Sequence, residues 1–138
     1  MLTIHRLKSC VQHIRDVQEA TNAPDKSWGI EPTHGLFGSP EWWQQIRDGT
    51  LPVDRIKGKI SRVWMSGHND WPMFAVLNDS GEESEWTREA SEPEFYAFYT
   101  VGRPIEIDYV VQRTRGTPAT FDKIPIEIRV DERQPLPS

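Results

Sequence analysis

From residue 55 onward, apolar and polar side chains trade places at every second position. Ile56, Gly58, Ile60, Arg62 and Trp64 alternate with Lys57, Lys59, Ser61, Val63 and Met65, the two-residue period of an extended chain whose side chains point to opposite faces. The run predicts a long strand over about 55–66, with a bulge or sharp bend at its internal glycine, Gly58. After a loop at 66–70, Met73 to Leu77 predicts a second strand, and Asn78-Asp79-Ser80-Gly81 is a strong turn signal. Residues 82–88 predict a third strand, with Ser84, Trp86 and Arg88 on one face and Glu83, Glu85 and Thr87 on the other. Ile105, Ile107, Tyr109 and Val111 mark one face of a fourth strand, and Ile124, Ile126, Ile128 and Val130 one face of a fifth. Pro125 cannot donate a backbone hydrogen bond, so the strand at 124–130 is expected at a sheet edge.

A three-to-four spacing appears in three places. Ile4, Leu7, Val11, Ile14 and Val17 predict a helix over 3–20, with Thr3 as its N-cap. Ser39-Pro40-Glu41 opens a short helix whose apolar side is Trp42, Trp43 and Ile46 and whose stop is Gly49. Ser91 with Glu94 reads as a capping box, Phe95, Phe98 and Tyr99 supply an apolar side, and Gly102 ends that helix. Residues 21–39, punctuated by Pro24, Gly29, Pro32, Gly35 and Gly38, are irregular, yet Trp28, Ile30, Leu36 and Phe37 should hold them against the fold.

The order from residue 55 is strand, strand, strand, helix, strand, strand. That predicts a mainly β, α+β protein: a small five-stranded OB-like barrel or roll over about 55–131, with a helical N-terminal extension. Its 138 residues suit one domain over 1–138. Within it, residues 1–54 form the helical and irregular extension packed on the barrel, 55–131 the core, and 132–138 a frayed tail. No internal repeat is visible.

Charge changes this picture locally. The net charge is −5, but residues 79–94 hold Asp79, Glu82, Glu83, Glu85, Glu89, Glu92 and Glu94 against Arg88 alone, a net −6, so the rest of the chain sums to +1. Such a window repels phosphates and suits a basic partner. The single cysteine, Cys10, excludes an internal disulfide. Residues 1–20 carry too many charges for a signal peptide, and no stretch approaches the ~20 apolar residues that span a bilayer, so a cytoplasmic protein without a membrane segment is expected.

The catalytic motifs are missing. No glycine-rich elbow surrounds a serine, and Cys10 sits beside apolar Val11 without a base in its motif. His5 and His13 are two helical turns apart on the expected first helix, His34 is alone, and His68-Asn69-Asp70 offers two ligands where a closed zinc site needs four, so that tripeptide reads as a turn. No phosphate-cradling glycine loop occurs, and no metal or other cofactor is expected. Glu106 and Asp108 share the polar face of the fourth strand, with nothing in the pattern to bury them.

Two binding classes remain. The first is a non-catalytic protein-interaction module that uses the acidic face (Glu83, Glu85) and exposed tryptophans (Trp64, Trp71, Trp86). The loop and helix tryptophans Trp28, Trp42 and Trp43 add to it. One concrete version is an inhibitory or immunity-type protein that caps a basic partner. The alternative is an OB-like single-stranded nucleic-acid binder, which has aromatics at Trp64, Trp71, Phe74 and Trp86. Its cations are Arg55, Lys57, Lys59 and Arg62, with Arg103, Arg113 and Arg115 flanking the fourth strand, and the −6 window opposes it. A small enzyme with an unrecognised site is the third class. Self-association would use the N-terminal helix or the open edge at 124–130, making a homodimer.

Overall fold

A computed structural model describes residues 1–22, 29–30, 32, 34–68, 70–114 and 120–133. Trp28, Asn69, Arg115 and the tail from Gln134 lie outside the described residues. The protein is mainly β, with six antiparallel strands in one open sheet and a few helices. The strands are β1 (Leu2–Arg6), β2 (Asp54–Ser66), β3 (Trp71–Asn78), β4 (Glu83–Thr87), β5 (Pro104–Arg113) and β6 (Phe121–Val130). Their order across the sheet is β1-β6-β5-β2-β3-β4.

Three of the expected elements change. The helix expected over 3–20 is divided: residues 2–6 form β1, Leu7–Ser9 a 3-10 turn, and only Val11–Asn22 the helix α1. Pairing with β6 satisfies one edge of β1, and Ile4 is buried, which wins over the helical spacing. Because β1 pairs through Leu2↔Val130 to Arg6↔Glu127, β6 is an interior strand, and residues 127–130 are not an open edge. Pro125 is tolerated because it lies in the half of β6 that runs beyond the last β1 partner. The capping box at Ser91 does not form: Pro93–Phe98 is a 3-10 helix capped at Glu92 without a side-chain bond. Ser91 instead donates its amide to the Ile4 carbonyl (2.8 Å), and its hydroxyl accepts from the Arg6 amide (2.8 Å).

Two compact units make up the chain. The first holds Met1–Arg6, Arg55–Asp108 and the chain from Glu127; the second holds Leu7–Asp54 and Tyr109–Ile126. In the first unit Ile4, Ile60, Phe74, Val76, Trp86, Tyr99, Ile105, Ile107, Ile128 and Val130 are buried. Buried Arg103 gives its guanidinium to the Asp131 carbonyl (2.7 Å) and the Arg133 carbonyl (3.0 Å), which fastens the start of the expected frayed tail.

The second unit has its own core. Leu7, Ile30, Phe37, Trp42, Leu51, Val110 and Ile124 form it, with Ile14, Val17, Trp43 and Ile46 packed against it. The helix α2 (Pro40–Arg47) forms as its caps predict: the Ser39 hydroxyl accepts from the Trp42 amide at 3.2 Å. Trp42 is fully buried, and its Nε1 donates to Gln112 Oε1 at 2.8 Å, so it is core and not an exposed anchor. β5 buries Ile105 and Ile107 in the first unit but Val110 and Gln112 in the second. Val111, expected on the apolar face, is exposed as a result.

Candidate protein-binding face

The strands β2, β3 and β4 of the first unit present one solvent-facing surface, and register decides which side chains reach it. Directly opposed residues of an antiparallel pair share a face. β3 pairs with β4 through Met73↔Thr87, Ala75↔Glu85 and Leu77↔Glu83, and with β2 through Lys59↔Leu77, Arg62↔Ala75 and Trp64↔Met73. The register shifts between Ile60 and Arg62, so Ser61 is an extra residue. This bulge inverts the parity of everything after it. Ile60 and Val63 point into the core, while Arg62 and Trp64 turn outward beside Trp71, Leu77, Glu83 and Glu85.

The bulge therefore lies three residues beyond Gly58, where the sequence placed it. Gly58 serves another purpose: a Cβ there would sit 2.1 Å from the Leu77 carbonyl oxygen. The missing side chain lets β3 approach β2 closely.

Of the five predicted contact residues, four come together. Trp71 is 57% exposed, and its Nε1 donates to Thr87 Oγ1 at 3.1 Å. Trp64 is half-buried beneath the Arg62 guanidinium, 4.4 Å from the ring centre. Glu83 and Glu85 are exposed on β4. Trp86 is the exception. It opposes Phe74 on the inner face, is 4% exposed, and donates its Nε1 to Ser84 Oγ at 2.8 Å. The parity of β4 makes this unavoidable: Glu83 and Glu85 outward place Trp86 inward.

Arg62, which the sequence offered only as a cation for nucleic-acid binding, organises the surface. Its Nη2 donates to Glu83 Oε1 (2.8 Å) and to Glu85 Oε1 (3.2 Å), reaching across the small Ala75 that separates them in the register. The Ser61 hydroxyl adds a bond to Glu83 Oε2 at 2.8 Å. The hydrogen bond from Arg62, then that from Ser61, holds the Glu83 carboxyl below its ordinary range. The hydrogen bonds that Arg62 donates to Glu83 and then to Glu85 raise its own value. The cation stacked on Trp64 is thus engaged by two carboxylates.

The acidic window is consequently divided into parts. Glu83 and Glu85 bind Arg62. Glu89 is half-buried, with its Oε2 3.5 Å from His5 Nε2, and burial pushes its carboxyl up to about 7. Asp79 and Glu82 stand exposed at the β3–β4 turn, and Glu92 and Glu94 at the 3-10 helix.

Elsewhere on the first unit, β5 and β6 carry an ion network on side chains whose strand pattern alone suggested an inert outer face. Arg129 Nη2 bonds Glu106 Oε1 (2.7 Å) and Asp108 Oδ2 (2.8 Å), and its Nη1 bonds Glu127 Oε2 (2.6 Å). Arg55 adds a 2.7 Å bond to Asp108, and Lys57 lies 3.6 Å from Glu106. Burial works to raise Glu106 and Asp108; the Arg129 bond at Glu106, and the Arg55 and Arg129 bonds at Asp108, outweigh it, and both carboxyls end below their ordinary values.

Among the described residues no group of three or more His, Cys, Asp or Glu could hold a metal ion. No described helix is long and apolar enough to cross a membrane. A family model described as immunity protein RhsI2 matches residues 2–131. The chain belongs to the RhsI2 immunity protein family. A search of curated proteins found no significant match. Membership places the chain among protein-binding modules, the first of the classes that its sequence left open.

Proposed function

We propose that this protein is a stoichiometric inhibitor that neutralises a cognate Rhs toxin by binding it, with no chemistry of its own. The observation that carries the reading is the family match over residues 2–131. The structure supports it with an outward sheet face bearing an exposed, hydrogen-bonded tryptophan beside an organised charge cluster. Buried aromatic anchors rimmed by polar groups are the usual anatomy of protein–protein contacts.

Co-expression with the cognate toxin domain tests the reading in cells, and size-exclusion chromatography with isothermal titration calorimetry tests it in solution. The expected result is rescue of growth together with an equimolar complex of nanomolar affinity. Failure of both at micromolar concentrations would overturn it.

A further inference from the structure

We infer that the partner seats a basic surface, rich in arginine or lysine beside an apolar patch, on the β3–β4 half of the outward face, with Trp71 as its anchor. This deepens the proposed function and rests on it. The outward face is electrically uneven. Toward β5 and β6, Arg55, Lys57 and Arg129 are matched by Glu106, Asp108 and Glu127 in direct ion pairs. That half is internally neutralised and offers a partner little net attraction. Toward β4 and the β3–β4 turn, Asp79, Glu82, Glu83 and Glu85 outnumber Lys59 and Arg62. Asp79 and Glu82 have no ion-pair partner among the described residues.

The apolar material lies on the same side. Trp71 and Leu77 are exposed large hydrophobics of β3, the strand that carries the acidic turn. Trp71 opens β3 and Asp79 and Glu82 follow its other end, with Glu83 and Glu85 on the neighbouring strand, so an indole and a carboxylate cluster share one strip of sheet. That strip fits a partner that is positively charged overall and apolar where it meets Trp71. The indole and Arg62 are already held by Thr87 and by the two glutamates, so little side-chain freedom remains to be lost on docking.

The electrostatic part governs the association rate and the apolar part the dissociation rate, which makes the two separable. The test is stopped-flow and surface-plasmon measurement of the full chain with a catalytically inactive cognate Rhs toxin domain, from low to high salt. In the Asp79→Lys/Glu82→Lys variant, neither altered side chain makes a hydrogen bond or ion pair among the described residues. It is expected to associate about tenfold more slowly at low salt, with a flattened salt dependence. Trp71→Ala should instead accelerate dissociation at least tenfold. Asp16→Lys/Glu19→Lys, the same charge change made on α1, should bind as the wild type does, which separates local complementarity from net charge.

Wild-type kinetics in the folded Asp79→Lys/Glu82→Lys and Trp71→Ala variants would overturn this inference and leave the proposed function standing. So would equal slowing by the α1 variant. Absence of any complex with the wild-type chain would overturn both.

Discussion

Trp71 and Thr87 meet diagonally across the β3–β4 ladder. The register pairs Thr87 with Met73, yet its hydroxyl accepts the indole proton of Trp71, two residues along, at 3.1 Å. Diagonal neighbours in an antiparallel pair lie within reach of a large side chain. The bond fixes an indole that is otherwise more than half exposed.

Such an anchor should matter to binding far more than to folding. Trp71→Ala is expected to weaken the toxin complex by about 2 kcal/mol or more. Its melting temperature should stay within a few degrees of wild type, since an exposed side chain contributes little to the core. Thr87→Val keeps the shape but releases the indole, so calorimetry should show a smaller loss of affinity, drawn mainly from entropy. A Trp71→Ala variant with undiminished affinity would remove Trp71 from the interface.

The Arg129 network should be structural. Its guanidinium and the Glu106 and Asp108 carboxyls are each about one-sixth exposed. Arg129→Met would leave those carboxylates without their central partner, and urea denaturation should show a loss of about 2–3 kcal/mol. The pH dependence follows from the direction of the shifts. Both carboxyls titrate below their unfolded values in the folded chain, so their stabilising contribution is present above the ordinary carboxylate range. It is lost as the pH falls through the lowered folded values, so the stability gap between wild type and Arg129→Met should narrow as the pH falls through the acid range.

Glu89 should act with the opposite sign. Its folded value of about 7 stands above the ordinary 4.5, so the folded chain holds that proton more tightly than the unfolded one. The associated stability is full below about pH 4.5 and declines until the pH passes about 7, by at most about 3 kcal/mol at 1.36 kcal/mol per unit. His5 faces the carboxyl, and Tyr99 bonds the Glu89 backbone. Glu89→Gln should flatten the decline in melting temperature between pH 5 and pH 7.5. An unchanged profile would mean that another group sets it.

Gly58 should tolerate nothing larger. A Cβ would meet the Leu77 carbonyl oxygen, its carbon and the Asn78 Cα at once, all backbone atoms that cannot swing aside. Gly58→Ala is expected to lower the melting temperature by several degrees, and amide exchange should quicken at residues 76–78. An unchanged or higher melting temperature, which the reduced freedom of the unfolded chain alone would give, would show that β3 can move away freely.

Much of this fold was legible in the two-residue period. The five strands after residue 54, the turn held by the Asn78 side chain and the capped α2 all follow from side-chain alternation, turn chemistry and Ser39. What failed was parity and partnership. A bulge is one residue of slack, and nothing in Ile60-Ser61-Arg62 announces it, yet it decides that Trp64 faces solvent while Ile60 does not. The β1 strand was hidden because Ile4 and Leu7 also suit a helix, and only a distant strand, β6, settles the choice. Trp86 was misplaced for want of a rule already in hand, since alternation with Glu83 and Glu85 commits it to the inner face. The role of Arg62 depends on Ala75 leaving a path between strands, a relation that no local window contains.

Ser91 reaches the margin of β1 that β6 leaves unpaired, taking one carbonyl and one amide from strand residues two apart. A bare strand margin is a template on which further chains can stack without limit. Here one carbonyl and one amide of that margin are already engaged by the molecule's own chain, so an intruding strand must first displace Ser91 to pair with them. The contact narrows the stretch of β1 on which copies of the same chain could stack.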